Sequence, residues 1–388
     1  MPNLRTMVTE LGTGMGMLGY DDVDEVLAVR SPAMRSLSPD DWDRLNALRA
    51  GGAFDTEFHA AWVNGQAFFT ARDGLRGRRP EVVEWKGVVR AGGDEVAPID
   101  LRIDHVYLVS CKYMSNILFN ASPAHVFDSL LAGGSARRGR GVGGDWYAEV
   151  APAHYQRLYD SVRWAVRDEA DHQGAGTLSG PSRTMAGGPL ALPGLEPAPH
   201  ADRGDGGTVV RHSVEVLREL PVRAADLTST HRSALRERLK SGWPGDAREA
   251  YRDLSDEVAR ASVARWRARL AGGVGAGEAM LWRLLRIGSA PYFVLGSSAT
   301  QSLRLRIATP WDWKQLFGLV RFEVFAQEGG QPRVGWLAVV RERATGHLHE
   351  VSGHVEVRWS HGRFGGPPEA KGYLDTRHHT VPGYFPLR

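Results

Sequence analysis

The run PIDLRIDHVYLVSCKYM, residues 98–114, constrains this chain more than any other stretch. It alternates apolar and polar residues and then turns almost wholly apolar, the pattern of strands with a buried face. As one strand, residues 100–112 would span roughly 40 Å at about 3.3 Å per residue, well beyond the usual length. A reversal near Asp104-His105 removes the difficulty and predicts a hairpin with Asp100 opposite Ser110 and diagonal to Lys112. Ser110 and Lys112 are two apart, so they project from one face while Cys111 points to the other. A carboxylate and an ammonium then converge beside an apolar strand.

Around this hairpin the chain alternates helical and extended patterns. SPDDWDRLNALRAG reads as a helix with Ser38 as N-cap, acids in its first turn and glycines at its end. Residues 54–71 form a second helix with Phe54, Phe58 and Trp62 on one side. VVEWKGVV (82–89) is strand-like, residues 122–134 a short helix and residues 152–170 a longer one. The first fifty residues read as a leader with helical pieces. Residues 171–208 are Gly/Pro/Ser-rich without periodicity, a flexible linker or insertion. Residues 211–242, 245–270 and 279–288 are helical in pattern. The last hundred residues carry strand patterns separated by glycine- and proline-containing turns. The expected organisation is an α/β domain over 1–170, the linker over 171–208, a helical segment over 209–290 and a β-rich module over 291–388.

With 388 residues, 42% hydrophobic and 24% charged, the composition is that of a globular protein of two or three domains. No run approaches the ~20 apolar residues of a membrane helix, so no membrane partner is expected. The first twenty-two residues reach acids without a continuous apolar core, which argues against a secretory signal. The one cysteine, Cys111, excludes an intramolecular disulfide framework and fits a cytoplasmic setting. The P-loop lysine motif and the G-x-S-x-G elbow are absent, which leaves NTPase and α/β-hydrolase readings without support.

Net charge is only +3, so total charge does not identify a nucleic-acid partner. Its distribution is more informative. Arg76, Arg78 and Arg79 crowd one loop, and Arg137, Arg138 and Arg140 lie in the glycine-rich loop SARRGRGVGG; both are candidate phosphate contacts. Of 48 basic residues only five are lysines: Lys86, Lys112, Lys240, Lys314 and Lys371. Where arginine serves for generic positive charge, a retained lysine marks a place for a compact ammonium whose pKa can move. Lys112 and Lys86 have the strand setting that chemistry would need.

Asp100, then nine residues, then Ser110-Cys111-Lys112, resembles the PD-(D/E)XK nuclease superfamily, whose pattern is an acid on one strand and acid-x-Lys on the next, after a helix bearing Glu. The resemblance covers about residues 54–130. It implies a restriction-endonuclease-like mixed sheet flanked by helices, and Mg²⁺ (or Mn²⁺) held by carboxylates beside a lysine that positions water. Carried over, Asp100 is the first metal ligand, Lys112 the lysine and Glu57 the helical acid. Ser110 departs from the pattern, because the family places an acid there. A second register, Asp73, ten residues, then Glu84-Trp85-Lys86, supplies the acids, but Asp73 sits in a loop-like stretch. The merged reading has Glu84 and Asp100 on neighbouring strands as metal ligands and Lys112 on the next, with Asp100, Glu84 and Lys112 catalytic. The implied activity is metal-dependent hydrolysis of DNA phosphodiester bonds in restriction, phage defence or repair, with a helicase or another defence or repair subunit as protein partner. The alternative is a non-catalytic nucleic-acid-binding or scaffold protein with a degenerate nuclease fold.

Overall fold

A computed structural model describes residues 4–87, 99–129, 145–176, 215–298 and 301–388. Its elements, in chain order, begin with α1 (Leu4–Gly16), α2 (Val23–Val29), β1 (Met34–Arg35), α3 (Pro39–Ala50) and α4 (Asp55–Thr70). Then come β2 (Val83–Trp85), β3 (Leu101–Ile103), β4 (Tyr107–Lys112), β5 (Ile117–Ala121), α5 (Trp146–Val150) and α6 (Pro152–Gly176). The second half contains α7 (Ser229–Arg238), α8 (Ala247–Leu270), α9 (Val274–Leu284), β6 (Tyr292–Ser297), β7 (Ser302–Ile307) and α10 (Pro310–Leu316). The long strands β8 (Phe317–Gln327), β9 (Arg333–Glu342) and β10 (Leu348–Arg358), then β11 (Glu369–Leu374) and β12 (Tyr384–Pro386), complete the chain.

The protein is mixed α/β, with two sheets. The first has the order β1-β2-β3-β4-β6-β7-β12 and is mixed, with β1–β2 and β4–β6 parallel and the other neighbours antiparallel. The second, β5-β11-β10-β9-β8, is antiparallel throughout. The sheets do not follow the segments read from sequence. β6, β7 and β12, from the 291–388 segment, belong to the first sheet, and β5, from the 1–170 segment, edges the second. Of the linker segment, everything from residue 177 onward falls outside the described residues.

Alternation along the strands of the first sheet explains its two covered faces. Val109, Leu101, Ile103, Phe293 and Leu295 pack with Met7, Val8, Leu11 and Phe58 of α1 and α4. Tyr292 and Val294, on the opposite face, join the core that α6, α8, α9 and the second sheet share. The helical pattern over 211–242 is realised only in part. Pro221 lacks the N–H that an uninterrupted helix would use, and the ordered helix α7 starts later, capped by Thr228.

α1 is buried from Met7 to Gly16, against α4 and the sheet. Glycines make the helix crossing possible. A Cβ on Gly65 would lie 2.1 Å from the Thr13 carbonyl oxygen, and one on Gly16 would lie 2.3 Å from that of Trp62. The two backbones are therefore in direct contact, which fixes the height of α1 over the sheet.

Candidate active site

The hairpin forms as the sequence predicts. Asp104 and His105 both adopt left-handed backbone (φ +48° and +59°), and the Val106 N–H donates to the Ile103 carbonyl at 2.9 Å. Three residues, 104–106, lie between the paired Ile103 and Tyr107, and Asp and His tolerate the two positive φ values better than branched residues. Leu101 pairs with Val109, which sets Asp100 opposite Ser110. The Asp100 N–H donates to the Val109 carbonyl at 2.9 Å. Its Oδ2 accepts from Ser110 Oγ at 3.1 Å and from the Cys111 N–H at 2.6 Å.

Lys112 ends β4, where β6 closes on it: a Cβ on Gly296 (φ +135°) would strike the Lys112 carbonyl at 1.8 Å. Burial pulls the Lys112 ammonium below its ordinary pKa, with Arg286 pressing the same way and Asp100 opposing. The Ser110 hydroxyl, fully buried, also meets the Tyr292 hydroxyl, whose pKa burial pushes up to about 12.

Glu10, on α1, completes the group. It is 9% exposed, its Oε2 accepts from Trp85 Nε1 at 2.6 Å, and its pKa is pushed up to about 8. Burial is the main cause and the nearby Asp100 charge the second, while Trp85 and Lys112 oppose them. Cys111, hydrogen-bonded to Thr13 on the same helix, has its thiol pushed well up by burial and by the Asp100 and Glu10 charges. Glu10, Cys111 and Lys112 line a cavity of about 530 Å³ with Arg5, Tyr113 and Ser115.

Asp100 and Lys112 are thus brought together, as expected from the hairpin. Glu84 and Glu57 are used differently. Register places Arg102 opposite Glu84, and Arg102 Nε donates to it at 2.7 Å, with Lys86 Nζ at 3.5 Å; these cations hold the Glu84 carboxyl below its usual range against its own desolvation. The strand neighbour of Asp100 on that side is Lys86, whose N–H donates to the Asp100 carbonyl at 3.0 Å. Glu57, on α4, accepts from Arg5 Nε at 3.0 Å and from the Tyr113 hydroxyl. Glu10 is the acid that sequence reasoning missed. Its signal is that it is the lone charge between Arg5 and Asp21, inside the apolar stretch MVTELGTGMGML.

The basic loop lies elsewhere. Arg78 pairs with Asp104 at 2.5 Å, at the turn end of the β3–β4 hairpin, whereas Asp100 and Lys112 mark its open end. Arg79 donates to the Gly19 carbonyl at 2.9 Å and Arg76 to that of Arg72 at 2.7 Å. These arginines brace the loop, and none of the three lines the cavity. Arg137, Arg138 and Arg140 lie outside the described residues.

Two carboxylates, Glu10 and Asp100, lie close enough that each disfavours the charge of the other, which a divalent cation would relieve. Among the described residues no group of three or more His, Cys, Asp or Glu side chains is arranged to hold a metal. Mg²⁺ asks for less: one or two carboxylates, with waters and substrate phosphate as its other ligands. The residues present fit that requirement. Also among the described residues, no helix is long and apolar enough to cross a membrane. No protein-family model matches the chain, and no curated protein or solved structure matches it.

Proposed function

We propose that the cavity between α1 and the end of β4 is a metal-dependent phosphodiesterase site acting on DNA, with Glu10 and Asp100 as carboxylate ligands and Lys112 as the catalytic cation. The observation that carries this reading is the convergence of Glu10, Asp100 and Lys112 from a helix and both strands of a hairpin. That is the order helix-acid, strand-acid, x-x-Lys of the PD-(D/E)XK resemblance, with Glu10 in the place first given to Glu57 and Glu84. Mg²⁺ or Mn²⁺, when bound there, supplies polarisation of a phosphoryl oxygen and a more acidic water.

The chain's own groups do the rest. Asp100 is held by two donors from the opposing strand, so it enters the site pre-oriented. Lys112 stabilises charge that develops on the phosphate as water oxygen bonds to phosphorus and the leaving oxygen departs. Its depressed pKa lets Nζ hold or yield a proton closer to neutral pH than an exposed lysine would. Restriction, defence or repair of DNA are the settings in which such chemistry is used, with a helicase or second defence subunit as partner.

Ser110 favours a second reading, a nucleic-acid-binding or scaffold protein on the same frame, because a hydroxyl stands where the resemblance expects a carboxylate. Cleavage of supercoiled plasmid with Mg²⁺ or Mn²⁺, compared with EDTA, separates the two. Metal-dependent cleavage lost in Lys112→Ala supports the enzyme. Cleavage at the wild-type rate by Lys112→Ala refutes the assignment of Lys112, and DNA binding without any cleavage supports the scaffold.

A further inference from the structure

Besides Glu10, Cys111 and Lys112, the cavity is lined by Arg5 and Tyr113, groups that metal chemistry does not need. Arg5, half-exposed on the first turn of α1, sets its guanidinium 5.4 Å from the centre of the Tyr113 ring and 5.8 Å from that of Phe54. Behind them lies Glu57, 7% exposed, which takes the Arg5 Nε at 3.0 Å and the Tyr113 hydroxyl. One buried carboxylate therefore fixes two planar groups, an aromatic ring and a guanidinium, at the same opening. Phe54 supports them from a left-handed backbone (φ +64°), a conformation bulky residues rarely adopt. Tyr113 directly follows Lys112 in the chain, so its ring stands one residue from the catalytic ammonium.

A tyrosine ring and a guanidinium plane are the two surfaces on which unpaired nucleobases stack. A base inside a duplex keeps its faces against its neighbours and offers neither to such a ring. The cavity, about 530 Å³, has the size of a small-ligand site, which spans roughly 300–1,000 Å³. That suits one or two splayed nucleotides and not a stacked helix. From this geometry we infer that the site takes single-stranded or unpaired nucleic acid, with a base beside the scissile phosphate stacked on Tyr113 and Arg5. The inference rests on the nucleic-acid reading of the site and specifies the substrate's strandedness.

The test is fluorescence anisotropy with a labelled single-stranded oligonucleotide and its duplex form, in EDTA and at one fixed salt concentration. Wild-type protein is expected to bind the single strand about tenfold or more tightly than the duplex. Tyr113→Ala and Tyr113→Leu should lose roughly tenfold in single-strand affinity, the scale of one stacked base, while Tyr113→Phe loses less than about threefold. Two variants guard against a failure to fold, and an unchanged thermal midpoint qualifies either. Equal affinity for both forms, undetectable single-strand binding, or wild-type binding by Tyr113→Leu overturns the inference. Because binding in EDTA needs no metal and is read without cleavage, the two proposals fail separately. Lys112-dependent cleavage without single-strand preference removes this inference alone, and Tyr113-dependent binding without cleavage removes the nuclease alone.

Discussion

Ser110 Oγ donates to Asp100 Oδ2 at 3.1 Å across the β3–β4 hairpin, so the residue that departs from the nuclease pattern is the one that orients its first acid. Ser110→Ala strips Asp100 Oδ2 of this donor while the Cys111 N–H remains; about 1–2 kcal/mol of stability should be lost, read from the urea midpoint. Ser110→Asp sets a second carboxylate against Asp100 in a buried position. That variant should be less stable than wild type by about 2 kcal/mol or more in EDTA and regain part of the loss with Mg²⁺. A Ser110→Asp protein whose midpoint ignores Mg²⁺ would count against a metal at Asp100.

Glu10 carries a pH signature of known sign. Its folded pKa, pushed up to about 8, exceeds the ordinary carboxylate value, so between the two the folded chain holds a proton that the unfolded chain releases. The associated stability is present in acid and is lost as pH rises through about 8. Glu10→Gln removes that loss. The variant should match wild type near pH 4 and exceed it near pH 9 by several kcal/mol, since each tenfold difference in proton affinity between folded and unfolded chain is worth about 1.4 kcal/mol. The same variant should lose Mg²⁺-dependent cleavage, so it becomes more stable and inactive together.

His378 titrates in the opposite sense. It is 6% exposed, and burial, with help from the Lys112 and His379 charges, pushes its pKa down to about 4. The unfolded chain takes up a proton near pH 6.5 that the folded chain refuses. Stability is therefore present above that value and falls, by on the order of 3 kcal/mol, as pH drops toward 4. His378→Gln should flatten this slope between about pH 6.5 and 4, and an unchanged slope would place its origin elsewhere.

Gly65 tests how α1 delivers Glu10. Gly65→Ala pushes a methyl group against the Thr13 carbonyl, backbone that has nowhere to yield except by lifting α1. A loss of about 3 kcal/mol or more is expected. Gly77→Ala, at an exposed turn where a Cβ meets nothing within 4 Å, is the milder control, limited to the strain of its positive φ (+78°). If Gly65→Ala folds, metal-dependent cleavage should fall further than stability does, because Glu10 shifts relative to Asp100.

How much of this was legible in the sequence depended on distance along the chain. The Asp104-His105 turn, the Asp100–Ser110 pairing and the placing of Lys112 follow from period-two alternation within fifteen residues, a local signal. The choice of acid did not follow. Glu84 has strand character, but what it faces depends on register, and register gives it Arg102. Glu57 lies on the expected helix, yet the helix that meets the hairpin's open end is α1, and nothing in residues 4–16 announces contact with residues a hundred positions later. The parallel neighbour of Lys112 is β6, too remote for pattern reading to pair, so the last hundred residues read as a module of their own. Clustered arginines marked charge without marking place, and Arg78 turned out to brace a turn.

The β4–β6 pairing also has a consequence in time. The Met114 N–H reaches Ser297 Oγ, 183 residues away, at the same junction where Gly296 closes on Lys112. Until that distant strand has been synthesised, β4 has an open edge and Lys112 lacks the wall that desolvates it. Contacts so remote in sequence form slowly and leave unpaired strand edges exposed meanwhile. Lys112 therefore acquires its desolvated surroundings only after residues 292–297, nearly two hundred positions downstream, have been made and have paired with β4.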